Sequence, residues 1–488
     1  MGFRGGSHSG ALRVALTITA AGTAVLAAVA LAATPLVRLS TDPYTNPSSQ
    51  HQTEVEPDTF AFGSTMVATF QVGRFFDGGA SNVGFATSID SGATWTSGFL
   101  PGTTTFATPP GPYGRLSDPA VAFDAKHDVW LISTLALSAG GTPRAVLSSR
   151  STDGGLSWAN PVVVATGSIP DKNWVVCDNT PASKFYGNCY VEWDDNGIGN
   201  RIKMNTSTDG GLTWGPSRET ADHATGIGGQ PLVRPNGTVV VPVANANIAK
   251  LMYFTSANGG ASWGAPMKIT TISDHEVASN LRTEPLPSAE IDKQGRVFVA
   301  WQDCRFRSGC DANDIVFAKI NPSGGVSAVK RIPIDSTSSG IDHFTPGLAV
   351  DRTTKGTQTH LALTYYYYPV SDCGSSCELR IGFVSSRDAG KTWTAPVDIA
   401  GPMHPTWLAD TSQGRMYGDY ISTSYVGGTA RPGIIVANAP TGGVFDEAAY
   451  TTASGLFRAT PAVASVDESP VPDAASDHPA PAGPVTAN

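Results

Sequence analysis

Charged and aromatic side chains in this chain collect where short apolar runs begin or turn. Arg74 stands in Gly73-Arg74-Phe75-Phe76, Arg115 and Asp118 lead into an apolar run at 119–123, and Asp171, Lys172, Asn173 and Trp174 are followed by Asp194 and Asp195. Further on come Gln230, His275 and Glu276, then Arg282 and Glu284, Asp303, Arg305 and Arg307, Asp342 and His343, and the run Tyr365-Tyr366-Tyr367-Tyr368. The last group is His404, Asp410, Arg415, Asp419 and Tyr420. A guanidinium is a planar fork that pairs bidentately with a carboxylate, so clustered arginines suit an anionic ligand. Two facing carboxyls, such as Asp118 and Asp303, suit the acid and base steps of a hydrolysis.

Each of these residues also has a structural use. Arg74 can stack on its neighbouring phenylalanines, and Asp118 can cap a turn before Pro119. Four consecutive tyrosines on a strand alternate faces, so at most two point one way. Gly414-Arg415-Met416-Tyr417-Gly418-Asp419-Tyr420 suits either a site or an internal Asp-Arg tie. Asp303 and Arg305 share a loop that Cys304 and Cys310 can staple, which favours a rigid, charged site.

The elements that must position these groups are marked by one phrase written five times. It reads SIDSGATW at 88–95, STDGGLSW at 151–158, STDGGLTW at 207–214, SANGGASW at 256–263 and SRDAGKTW at 386–393. Asp or Asn accepts backbone N–H bonds, Gly supplies the positive φ of a tight turn, and the hydroxyl ties its ends. Apolar runs on both sides make each phrase a link between strands. Self-similarity at a period of tens of residues means a repeat architecture. The last gap is about twice the others, and a weaker copy at 321–326 (NPSGGV) fills it; another lies at 439–445 (APTGGVF). Seven turns predict seven four-stranded modules, with six as the alternative if one is a peripheral hairpin.

The phrase resembles the Asp-box, or BNR repeat, of the sialidase superfamily of β-propellers. That resemblance implies an all-β propeller whose boxes lie on the outer rim and whose chemistry sits in the central funnel. It further implies an exo-acting glycoside hydrolase of the sialidase type. Arg74, Arg282 and Arg305 would then clamp a substrate carboxylate, Asp118 would be the acid, Glu284 the base, and Tyr366 or Tyr420 the nucleophile. Arg115, Asp303, Asp342, His343, Arg415 and Asp419 complete the expected substrate-binding set. The Phe-Arg-Ile-Pro phrase that carries the first clamp arginine in sialidases is not found before the first box. The alternatives are a glycosidase using two carboxylates on the same ring, and a glycan-binding or protein-binding propeller without turnover.

Composition agrees with many short strands. Of 488 residues, 53 are Gly and 35 Pro, and charged residues are only 15%, as turn-rich β folds require. A net charge of -9 argues against nucleic acid or an anionic membrane surface as a partner. Arg4 and Arg13, an apolar stretch at 14–33 and the Ala30-Leu31-Ala32 phrase read as a signal peptide or an uncleaved anchor over 1–33, and so as an extracellular protein. A linker is expected at 34–50, the propeller at 51–455 and a disordered Pro/Ala-rich tail at 456–488. Six cysteines in three close pairs, Cys177 with Cys189, Cys304 with Cys310 and Cys373 with Cys377, read as local disulfides. No cofactor or metal is expected, the partner is a glycan, and the protein is expected to be a monomer.

Overall fold

The computed structural model describes residues 1–3, 5–6, 34–456 and 462–464. The chain divides into two compact units, Met1–Ala33 and Thr34–Asn488, and every strand among the described residues lies in the second. Most of the expected signal segment and most of the expected tail lie outside the described residues. Among the described residues no helix is long and apolar enough to cross a membrane.

Strands make up 49% of the structure, and it is a β-propeller. A short strand β1 (Leu36–Arg38) is followed by an eight-stranded sheet of β2 (Glu54–Phe62), β3 (Thr65–Arg74), β4 (Ala80–Ser88), β5 (Thr96–Phe99), β6 (Arg115–Asp124), β7 (Val129–Leu137), β8 (Pro143–Ser151) and β9 (Val162–Thr166). Next come a three-stranded sheet, β10 (Pro170–Cys177), β11 (Cys189–Asp195) and β12 (Arg201–Ser207), and a four-stranded one, β13 (Leu232–Val233), β14 (Val239–Ala244), β15 (Lys250–Ser256) and β16 (Met267–Thr271). A further four-stranded sheet holds β17 (Ser288–Ile291), β18 (Val297–Asp303), β19 (Asp314–Ile320) and β20 (Lys330–Arg331). Then β21 (Asp342–Val350), β22 (Leu361–Tyr368) and β23 (Leu379–Ser386) lead to β24 (Thr392–Thr394) and β25 (Val397–Met403), the latter completing their sheet. After a small ribbon, β26 (Ala409–Thr411) with β27 (Gly414–Met416), the strands β28 (Ser422–Val426), β29 (Thr429–Thr441) and β30 (Val444–Thr452) form the last sheet with β1 at its edge. A final strand β31 (Ala462–Ala464) pairs with β24.

Two expectations change here. The segment at 34–50 is part of the fold, because β1 pairs with β30 and Asp42 accepts hydrogen bonds from the backbone of Tyr44 and Gln52. The blade count of seven, or six, is corrected to five discrete blades, the separate sheets of three or four strands. The remaining eight strands are one continuous sheet, because Ala80 of β4 pairs with Leu116 of β6. Box spacing counts stretches of chain, whereas backbone pairing decides which stretches are separate sheets.

Around the axis each inner strand packs on the next, in the order β2, β6, β10, β13, β17, β21, β28 and back to β2. Four of them break register at one place. The shifts fall between Val55 and Asp58, Ser117 and Ala120, Asp171 and Trp174, and Phe344 and Gly347. At each shift a residue other than glycine is left-handed: Glu56 (φ 54), Asp118 (φ 48), Lys172 (φ 47) and Thr345 (φ 46). Pro57, Pro119 and Pro346 follow three of these, and a proline has no N–H to give to the ladder, so pairing fails there and the strand bulges. The left-handed conformation costs about 1–2 kcal/mol per residue. Three of the four residues so held are charged.

The core lies between neighbouring sheets, where Trp130, Trp193, Trp301 and Trp393 are fully buried. Truncating such a ring costs about 3–5 kcal/mol. All five copies of the repeated phrase make one turn. In the copy at 151–158, Ser151 Oγ donates to Asp153 at 2.7 Å and accepts from Gly155 N at 2.9 Å, and Asp153 accepts from Ser157 N at 2.9 Å. Three disulfides join Cys177 to Cys189, Cys304 to Cys310 and Cys373 to Cys377, the local pairing expected.

Candidate functional site

The bulges bring charged groups together where the inner strands begin. Lys172 Nζ donates to Asp419 Oδ2 and lies 3.4 Å from Asp118 Oδ1. Arg282 Nη2 reaches the same oxygen of Asp419 at 2.5 Å. Gln71 Nε2 donates to Glu56 Oε2 and to Ser117 Oγ at 3.1 Å. Arg74 Nη1 donates to Gly79 O at 2.9 Å and to Gln71 Oε1 at 3.5 Å. Asp118 and Asp419 are buried, at 4% and 3% exposure, yet their Oδ1 atoms accept no hydrogen bond from the described residues. Buried acceptors are normally satisfied by protein or water.

The electrostatics are uneven. Burial pushes Glu56 up, Asp118 and Asp419 add to it, and Lys172 and Arg74 only partly offset them, so its carboxyl holds a proton more tightly than usual. Burial pushes Asp419 the same way, but Arg282 and Lys172 outweigh it and hold that carboxyl below the usual range. Lys172 is kept charged, because Asp419, Asp118 and Glu56 outweigh its loss of hydration. Asp171 is raised by burial and by Asp118, and Asp194 by burial, Asp171 and Glu192. Carboxyls in one place with opposed proton affinities are the arrangement that acid and base assignments need.

Of the residues expected from sequence, Arg74, Asp118, Arg282 and Asp419 meet here. Tyr420 joins them, its hydroxyl donating to Pro119 O at 2.9 Å and its ring edge-on to Trp174 at 5.0 Å. Glu284 is half-buried beside Arg282 and stabilises its charge.

The other expected residues are held elsewhere. Tyr366 is buried, donates to Ile435 O at 2.7 Å, accepts from Ile435 N at 3.0 Å and stacks on Tyr417, so its hydroxyl is engaged by backbone on both counts. Arg115 pairs with Asp77 at 2.5 Å and lies over Phe75. Arg305 is tied to Asp303 through Nε at 2.8 Å and Nη2 at 2.6 Å within the stapled loop. Arg415 donates to Leu408 O at 3.1 Å and faces Asp410 at 3.6 Å. Asp342 accepts from Asn313 N at 2.7 Å and faces His275 Nδ1 at 3.4 Å.

His343, Asp314 and Asp335 stand close enough to share an ion, but two guanidiniums neutralise the carboxylates. Arg307 Nη2 is 2.6 Å from Asp314 and 3.0 Å from Asp335, and Arg331 Nη2 is 2.5 Å from Asp335. Sequence reading assigned no role to Glu56 or Lys172. The available signal was the parallel between Glu56-Pro57 and Asp118-Pro119.

No family model and no curated protein matches this chain. Among solved structures it is similar to a protein of unknown function from Dyadobacter fermentans, at 16% identity over 72% of this chain and 99% of that one, with a TM-score of 0.45. It is also similar to the leech intramolecular trans-sialidase, at 12% identity over 69% and 67% with a TM-score of 0.44. A third is an α-L-arabinanase from Penicillium chrysogenum, at 14% identity over 73% and 99% with a TM-score of 0.44. These are likenesses of fold and assign no chemistry to this chain.

Proposed function

We propose that the chain is a glycoside hydrolase that removes a terminal sugar, with its reaction centre at the start of the inner strands, where Glu56 and Asp118 stand on contacting strands. The observation that carries this reading is the pair itself. Two carboxyls on contacting inner strands are held at left-handed bulge residues, one with raised proton affinity and the other beside an ammonium. Glycosidic cleavage needs one carboxyl to protonate the leaving oxygen and a second to serve the anomeric carbon. Glu56 is the acid and Asp118 its partner. Strain at such residues is the kind that sites retain.

A carboxylate pair is favoured over a three-arginine clamp because Arg305 is bound up with Asp303 and Arg282 with Asp419. The terminal sugar is therefore read as one without an obligatory carboxylate. The three disulfides and the apolar segment at 14–33 support action outside the cell.

Release of a fluorophore from sialyl and neutral aryl glycosides tests the reading. Turnover is expected on a neutral glycoside, falling about 10²–10⁴-fold in Glu56→Gln and in Asp118→Asn. No turnover on any glycoside overturns it, and a sugar-binding or protein-binding propeller then stands.

A further inference from the structure

We propose that a column of cavities along the propeller axis carries water to Asp118 from the far end of the inner strands, so that Asp118 acts as a base and the sugar leaves with inverted anomeric configuration. This rests on the hydrolase reading above and adds to it the route and direction of the attacking water.

The column has three parts. Where the inner strands end, a vestibule of about 620 Å³ is walled by Phe60, Phe62, Tyr425 and the Glu290–Arg352 pair, whose Arg352 Nη2 lies 3.0 Å from Glu290. Phe60, Val176, Leu232, Glu290 and Arg352 also bound the next cavity. That neck, about 40 Å³, is lined by Asp58, Thr59, Gln230, Ser288 and Ser422. Trp174 and Gln230 are shared in turn with an innermost cavity of about 20 Å³, which lies against Asp118, Lys172 and Tyr420.

The neck and the innermost cavity each have room for one or a few waters and the vestibule for many more, and polar walls keep a cavity wet where apolar walls leave it empty. The neck is polar: Thr59 Oγ1 lies 2.9 Å from the hydroxyls of both Ser422 and Ser424, and Asp58 Oδ2 accepts from Val121 N at 2.8 Å. At the inner end, Asp118 Oδ1 accepts no hydrogen bond from the described residues and can take one from a water. In the reaction that water gives a proton to Asp118 as its oxygen bonds to the anomeric carbon. The glycosidic C–O bond breaks, its electron pair goes to the leaving oxygen, and Glu56 supplies that oxygen with a proton. Direct attack from the side opposite the leaving group inverts the anomeric centre.

Three measurements on the full chain test the proposal. A crystal structure with ordered solvent is expected to show water from Arg352 to Asp118. Ser422→Leu fills the neck, whereas Ser422→Ala leaves it open. With folding checked by thermal unfolding, the leucine variant is expected to lose about 10²-fold in kcat at unchanged KM, and the alanine variant, which removes one wall hydroxyl without filling the neck, to lose less. NMR of the first-released anomer is expected to show inversion. A dry neck, retention of configuration, or wild-type turnover in Ser422→Leu overturns the proposal and leaves the hydrolase reading standing. Failure to turn over any aryl glycoside removes that reading, and the role of the water with it.

Discussion

Lys172 and Asp419 are 247 residues apart in the chain, yet the ammonium of one donates to the carboxylate of the other with both side chains buried. Arg282 meets the same oxygen of Asp419, so one carboxylate gathers two cations from different inner-strand approaches. This contact and the Lys172–Asp118 pair join three parts of the ring at its axis.

Lys172→Met leaves two buried carboxylates short of their ammonium. Breaking such a pair from one side costs about 3–5 kcal/mol, because the remaining charge is stranded. Urea unfolding is expected to show that loss, and Lys172→Met combined with Asp419→Leu to recover part of it. A single-variant loss under about 1 kcal/mol would place the pair among weak surface contacts.

Glu54 makes stability fall toward alkaline pH. Burial pushes its carboxyl from 4.5 up to about 8, so the folded chain keeps a proton that the unfolded chain releases. Its contribution is whole below about 4.5 and is lost as pH rises through about 8, following proton linkage. Glu54→Gln retains an acceptor for Ala449 N, now at 2.8 Å from Oε2. The unfolding midpoint of this variant is expected to decline less over that pH range than that of wild type, and parallel profiles would contradict the assignment.

Tyr366→Phe separates structure from chemistry. It removes a hydroxyl that both donates to and accepts from Ile435, at a cost of about 1–3 kcal/mol for stranded buried groups. Turnover of an aryl glycoside at a temperature where both proteins are folded is expected to match wild type within about twofold. A loss of several orders would make Tyr366 part of the reaction.

The repeated turn predicts a reciprocal pair of stability changes. Ser91 is left-handed (φ 62) at the position that Gly154 (φ 79) fills in the next copy. Ser91→Gly is expected to stabilise by about 0.5–1 kcal/mol and Gly154→Ala to destabilise by a similar amount. An added Cβ at Gly154 meets nothing within 4 Å, so only conformation is at issue there. Denaturant midpoints at unchanged slope would report both.

Residues whose partners are close in the chain were legible. Asp153 is held by groups two to four positions away, and Cys304 and Cys310 are six apart. Asp118 and Arg282 were recognisable as polar residues near strand starts, and they do reach the axis. Arg305 and Tyr366 looked equally available, but neighbours not evident from the sequence absorb them: Thr270 and the Thr271 carbonyl beside Asp303 for one, Ile435 for the other.

The sequence by itself determined an all-β chain, its turns and its disulfides, because each rests on bonds within a few residues and on the period of apolar runs. Only the tertiary structure decided how many sheets stand apart, since one pairing between Ala80 and Leu116 merges two stretches of chain. It also decided which charges meet and which hold protons. Glu56, Asp118, Lys172, Arg282 and Asp419 acquire their mutual fields and lose their water only when the ring closes around the axis, and neither burial nor the distance between remote residues is written in local spacing.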